Sequence, residues 1–395
     1  MPGALGFADD PPVMLSLVFW YWFLAAPAAM LALFSLAGER KRAVYVRRRL
    51  AATPERLPPA SVIVPVKGHD DGLRDNLAAL AALDYPDYEL IVAARSAADI
   101  PPAVLPRRVK VVLAHGENPA ASEKVQNLAA AVKASRKSSE VFAFADSDGR
   151  VTARWLQALV APLAEDGVGA STGYRWFMPA PAMFWALMRS VWNATAEGLL
   201  GPGDNPFAWG GATAVRKETF FLARVLESWK SAVSDDYALS ACVRAAKLRI
   251  VYAPGALVPS LESITGLRFF EWARRQMILT RFYRPRLWLA GLAAHILYCA
   301  GMAAGVWGCA TGHRAAAIPL AAQLLAGMGK GFARVRLARA ALPEYAAWFA
   351  RWGWIHTLWV PASTWLWLGA LAASALCNSI EWRGYRYEFR RRASG

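Results

Sequence analysis

The sequence predicts an α/β domain with a mostly parallel sheet, inserted between transmembrane helices. Three observations predict it. Residues 13–36, 287–312, 315–329 and 352–379 contain no Asp, Glu, Lys or Arg. Residues from about 57 to 285, between the first two of these runs, alternate strand-like and helix-like patterns, the signature of a parallel sheet with covering helices. Within that stretch, paired acids fall where one strand-like segment ends and where one helix-like segment begins.

Composition supports the first observation. Of 395 residues, 56% are hydrophobic and only 19% charged, with 18 tryptophans, a balance that excludes disorder and disfavours an ordinary soluble enzyme. Lys and Arg number 45 against 29 Asp and Glu, so the formal charge is 45 − 29 = +16. The basic residues flank apolar runs, which points to an anionic membrane surface rather than nucleic acid. The four cysteines form no CxxC pair and read as small buried thiols.

Taken in order, residues 13–37 predict a transmembrane helix, because 24 uncharged residues at about 1.5 Å each span a hydrocarbon core of about 30 Å. Asp9 and Asp10 precede it, and Glu39-Arg-Lys-Arg and Arg47-Arg-Arg follow. That is the wrong flank for a cleaved signal peptide, and it places residue 40 onward in the cytoplasm. Ser61-Val-Ile-Val-Pro-Val opens the domain as a strand. Leu73–Leu83 has helical spacing, Asp84-Tyr-Pro-Asp-Tyr a turn, and Glu89–Ala94 a second strand. Val109–Leu113 and Val141–Ala145 are further strands around a helix at Ser122–Ala134.

Residues 287–379 predict a membrane region of two to three spans, with Arg334 to Arg339 and the aromatics up to Trp352 forming an interfacial helix. Residues 380–395 read as a basic tail. Four full spans would put that tail outside, against its charge, so either one segment does not cross or the charge rule fails.

The strand at 141–145 runs into Asp146-Ser-Asp148. Ligands bind outside the carboxyl ends of strands in open α/β sheets, and two close carboxylates suit a hard divalent cation that can bridge to a diphosphate. A doubly capped turn is the structural alternative. No GxGxxG or GxxxxGK[ST] loop is present, which argues against a dinucleotide-dependent dehydrogenase or a P-loop ATPase. Downstream lie Trp209-Gly210-Gly211 and Asp235-Asp236, the latter also readable as a helix N-terminal cap.

The ordered set Lys67-Gly, Asp84-Tyr-Pro-Asp-Tyr-Glu, Lys124-Val-Gln-Asn-Leu, Asp146-Ser-Asp, Gly210-Gly-Ala-Thr-Ala-Val-Arg, Ser234-Asp-Asp-Tyr and Arg274-Arg-Gln resembles the membrane-bound family 2 and family 21 glycosyltransferases. Within them it is most similar to the ceramide glucosyltransferase group. The likeness covers nearly the whole chain, and its force lies in the order of motifs that are individually unspecific. It implies a GT-A fold, a UDP-sugar donor, a Mg2+ or Mn2+ ion on Asp146 and Asp148, and donor contacts from Lys124 and Asn127. Asp236 would be the general base, beside Asp235. Arg274, Arg275 and Gln276 would stand at the donor and acceptor mouth, and Trp209, Gly210 and Gly211 on the acceptor side. Two positions depart from the family pattern. Asp99 stands displaced from the usual acid after the second strand, and Leu279 and Thr280 replace the Arg and Trp of the family's Q/RxxRW motif.

The activity this resemblance implies is inverting transfer of a sugar, glucose in the ceramide glucosyltransferase group, to the hydroxyl of a membrane lipid such as ceramide. The catalytic domain would face the cytoplasm, with no nucleic-acid partner. Another lipid acceptor such as a hopanoid or polyprenyl phosphate, a polysaccharide synthase, and a non-enzymatic nucleotide-binding membrane protein are the alternatives. The apolar stretch from Trp176 to Trp192 reads as core or as a lipid's path to the site.

Overall fold

The computed structural model describes residues 11–389 except 69, 71 and 117. Its centre is a seven-stranded sheet ordered β3-β2-β1-β4-β6-β5-β7. The strands are β1 (Ala60–Pro65), β2 (Tyr88–Ala94), β3 (Lys110–Leu113), β4 (Val141–Ala145), β5 (Val168–Phe177), β6 (Ala212–Arg216) and β7 (Arg249–Ser260). β6 runs antiparallel to both β4 and β5, and every other pairing is parallel.

Both faces of the sheet are covered, so its strands are β-branched and aromatic at consecutive positions rather than alternating with polar residues. Val62 and Val64 of β1 and Ala143 of β4 pack toward α2 (Leu73–Ala81) and α4 (Trp155–Val160). On the opposite face, Ile63, Phe142 and Phe144 pack toward α3 (Glu123–Ala134). Alternate residues of one strand thus feed two separate cores. α5 (Phe184–Glu197), α6 (Lys217–Leu222), α7 (Val225–Trp229) and α8 (Asp235–Ala245) complete the domain.

The membrane-directed part departs from the expected boundaries. α1 spans Pro11–Ala51, continuing well beyond residue 37 because the Glu, Arg, Lys and Ala residues that follow the apolar run are good helix formers. After β7 come α9 (Gly266–Tyr283) and α10 (Pro285–Ala310), then α11 (Ala317–Ala341). Among the described residues, two helices are long and apolar enough to cross a membrane, one within α1 and one being α10. α11 absorbs both the third uncharged run and the Arg334–Arg339 stretch expected at the interface. Arg334 is buried, its Nε 3.0 Å from Glu39 Oε1, so this residue makes no headgroup layer. The fourth uncharged run is divided among the end of α12 (Ala346–Trp352), α13 (Ile355–Leu358) and α14 (Val360–Ala375). Pro361 sits in the first turn of α14, where its missing N–H costs nothing.

Small residues bring these helices together: a Cβ on Gly301 of α10 would lie 2.8 Å from that of Ala28 on α1. At the seam with the sheet domain, Arg42 pairs with Glu197 and donates to the Leu200 carbonyl at 2.8 Å. The Tyr252 hydroxyl donates to the same Glu197 at 2.7 Å. Trp192 and Trp367 stack at 3.9 Å and 7°, joining α5 to α14. In the apolar stretch, Trp176, Phe177, Met178 and Trp192 are therefore core, whereas Met183 and Phe184 are exposed.

Of the expected basic tail, residues 390–395 lie outside the described residues, and the part before them is folded. Residues 379–388 form a hairpin, β8 (Ser379–Trp382) and β9 (Tyr385–Glu388). Arg383 and Gly384 both have positive φ, 51° and 83°, as the tight turns that match strand twist require. The hairpin docks on the sheet domain: Arg383 donates to the Lys67 carbonyl at 2.9 Å and to Asp70 at 2.6 Å. Arg383 thus finds a carboxylate and a carbonyl of the domain itself, whereas Arg386 pairs with Glu388 within the hairpin.

Candidate active site

The site forms where β1, β4 and β5 end. The last residue of β4 is Ala145, so Asp146 and Asp148 project from the carboxyl edge of the sheet, and the Ser147 carbonyl between them accepts from Asn76 at 2.9 Å. Lys124, in the first turn of α3, reaches Asp146 Oδ1 at 2.8 Å and Asp235 Oδ1 at 3.2 Å. One ammonium thus ties the two acid pairs, far apart in sequence, into a single cluster. Burial opposes ionisation of Asp146, but Lys124 and Arg175 outweigh it and hold this carboxyl below the usual range. Burial likewise opposes charge on Lys124, and Asp146, Asp235 and Asp236 outweigh it, so its pKa rises.

Asp235 and Asp236 begin α8. Asp235 is buried, and burial pushes it up to about 6 despite Lys124, with Asp236 adding to the rise. Asp236 is half-buried and faces the cavity. Its carboxylate accepts from the Tyr237 N–H at 2.7 Å, the Gly210 N–H at 3.2 Å and the Ser234 hydroxyl. Three donors fix its orientation.

The glycines serve these carboxylates. A Cβ on Gly210 would stand 2.4 Å from Asp235 Oδ2, and one on Gly211 would stand 2.7 Å from Asp146 Oδ2. Trp209 lines the cavity, while Gly210 and Gly211 lie behind it. Asn127 is buried on the wall, with its Oδ1 unpartnered. Of the α9 residues, Arg275 and Gln276 are partly buried and Arg274 is exposed, and all three border the cavity. Burial, then the charge of Arg383, lowers the Arg275 guanidinium to about 10. Asp99 stands apart: it accepts from the Gly68 N–H at 3.1 Å and does not line the cavity. Thr280, at a departed motif position, bonds the Tyr237 hydroxyl at 2.8 Å.

Two contributors escape sequence reasoning. Arg175, near the end of β5, forks across Asp146 and Asp148; nothing in its spacing links it to them. The hairpin is the other, with Trp382 beside Arg275 at 5.8 Å and Tyr385 beneath the Lys67 ammonium at 4.0 Å. In the sequence this segment reads as a basic tail.

The carboxylates fit a cation. Arg175 Nη2 lies 2.9 Å from Asp146 Oδ2 and 2.5 Å from Asp148 Oδ1, so both converge on one positive group. Among the described residues no group of three or more His, Cys, Asp or Glu side chains is arranged to hold a metal ion.

A cavity of about 1670 Å³ joins these groups to the membrane-directed helices. Its wall passes from Asp146, Asp148 and Asp236 to Trp192, then to Leu31 of α1, Leu287 and Met302 of α10 and Leu371 of α14. At the helix end these apolar side chains are interspersed with Glu39, Lys330 and Arg334.

The model of glycosyl transferase family 21 matches residues 20–394. No curated protein matches the chain. Among solved structures, the chain is similar to the mannosyltransferase PcManGT from Pyrobaculum calidifontis in complex with GDP-Man and Mn2+, at 17% identity and a TM-score of 0.45, covering 89% of this chain and 98% of that one. It is also similar to GalNAc-T7 with UDP, GalNAc and Mn2+, at 14% identity and a TM-score of 0.40, covering 57% and 51% respectively.

Proposed function

Because the chain belongs to glycosyl transferase family 21, a GT-A-type enzyme that moves a sugar from a nucleotide sugar, we propose that its donor is UDP-glucose and its acceptor the hydroxyl of a membrane lipid such as ceramide. The observation that carries the lipid reading is the cavity continuous from Asp236 to Leu31, Met302 and Leu371. A long-chain alcohol matches it: the chains lie among apolar helices while the hydroxyl reaches the carboxylates. A water-soluble acceptor has no use for the apolar side chains of this wall.

In the reaction, Asp236 takes the proton of the attacking hydroxyl at a carboxylate oxygen. The oxygen bonds the anomeric carbon as the bond to the diphosphate breaks, and the electron pair leaves with UDP, inverting the centre. Lys124 and Arg275 add positive charge near the departing phosphates. Asp146 and Asp148 are the residues that would hold Mg2+ or Mn2+, which when bound neutralises charge on the diphosphate. Asn127 offers a buried acceptor to the donor. The domain lies on the cytoplasmic face, consistent with Arg40, Lys41, Arg47 and Arg48 after the first span.

The test is incubation of detergent-solubilised protein with several UDP-sugars and with ceramide, diacylglycerol or a hopanoid polyol, with and without Mn2+, followed by mass spectrometry of the lipid extract. A hexose on ceramide is expected. A hexose on another lipid alone would replace the acceptor, and no nucleotide turnover with any pair would overturn the reading.

A further inference from the structure

Every oxygen of the Asp146–Asp148 pair is engaged by the chain's own cations. Arg175 Nη1 donates to Asp148 Oδ2 at 2.8 Å, its Nη2 is shared between Asp148 Oδ1 and Asp146 Oδ2 at 2.5 and 2.9 Å, and Lys124 takes Asp146 Oδ1 at 2.8 Å. The shared nitrogen stands where an ion common to both carboxylates would sit. Arg175 is also well seated. Its guanidinium lies 5.0 Å from the Trp209 ring centroid and 5.3 Å from that of Phe177, and the Asn193 amide holds its carbonyl at 2.8 Å.

Charge counting gives the consequence. Arg175 touches both carboxylates, and Lys124 divides its charge between Asp146 and Asp235, so the pair has cationic partners without a metal. Inserting a divalent cation alone sets its charge beside those of Arg175 and Lys124 in a largely buried place, which is costly. Inserting it with a diphosphate offsets that charge, and the phosphate oxygens offer the displaced guanidinium a planar bidentate partner.

We propose that Arg175 is a tethered counter-cation that competes with the divalent cation for Asp146 and Asp148, and that a nucleoside diphosphate releases the carboxylates by accepting the guanidinium. Donor and metal then bind with positive coupling that runs through this one side chain, and by linkage each strengthens the other equally. The proposal rests on the reading of Asp146 and Asp148 as the cation site.

The test is Mn2+ titration of the full chain in detergent, following free Mn2+ by electron paramagnetic resonance, with and without UDP. Wild type, Arg175→Gln, Arg175→Lys and Asp148→Asn are compared. Without UDP, Arg175→Gln is expected to bind Mn2+ roughly tenfold more tightly than wild type. UDP should strengthen binding to wild type by more than to Arg175→Gln. Equal affinities and equal UDP effects, with binding abolished by Asp148→Asn, would overturn the role of Arg175 and leave the cation site standing. Absence of Mn2+ binding by both wild type and Arg175→Gln in the presence of UDP would overturn the cation site itself. If Arg175→Gln does not purify as a folded species, Arg175→Lys carries the comparison: its single ammonium cannot fork across both carboxylates, so it too should bind Mn2+ more tightly without UDP.

Discussion

At the scale of single residues, two adjacent acids have been given different surroundings. Asp236 faces the cavity with three donors on its carboxylate, while Asp235 is buried against Lys124. Replacing Asp236 by Asn keeps the shape and removes the base, so turnover should fall by about 10²–10⁴-fold with UDP binding little changed; calorimetry beside a UDP-release assay checks both. Asp235 titrates at about 6 in the fold against an ordinary value near 3.8, so the folded chain takes up this proton more readily than the unfolded one. Its stabilising contribution is complete below about 4 and lost as pH rises through about 6. Wild type should therefore lose stability relative to Asp235→Asn between pH 5 and 8, on the order of 1 kcal/mol, and thermal unfolding in detergent at the two pH values measures the gap. These acids were legible because strand ends and helix starts are where sequence pattern localises a site, whereas Lys124 was singled out by the family resemblance. Arg175 was not, since an arginine among aromatics inside a strand carries no sign of which carboxylates the fold will bring to it.

At the scale of elements, the hairpin is the instructive case. A run of Trp, Arg and Tyr after an apolar helix is equally suited to a headgroup layer and to a docked lid, and hydropathy does not distinguish them. Its partners, Lys67 and Asp70, are over 300 residues away in sequence. Arg383→Ala removes both anchors and leaves the strands intact, so the donor KM should rise about tenfold, the worth of one or two hydrogen bonds to charged groups, with kcat nearly unchanged at saturating acceptor. The sheet, by contrast, was readable strand by strand from β1 to β4, since its buried β-branched runs have few other uses. The helices diverged at their ends: charge marks where an apolar run stops, whereas helix propensity decides where the helix does, and α1 and α11 both continue through charged residues.

At the scale of the whole molecule, the membrane-directed helices and the sheet domain share buried ion pairs. Arg42, Glu39, Glu197 and Arg334 connect α1, α5 and α11. Arg42→Met would strand Glu197 without its cation, and the expected loss is about 3–5 kcal/mol, read as lowered thermal stability in detergent; Arg42→Met combined with Glu197→Gln should recover part of it.

The route of the chain around the cavity has a consequence for biosynthesis. Its walls draw on residues from Leu31 to Tyr387, so the first helix is made long before the hairpin exists. A chain emerging from the ribosome can thread its helices and fold its sheet while the chamber still lacks one side. Its wall is complete only once residue 387 has been made, so an unfinished chain lacks part of the cavity in which the sugar would be transferred.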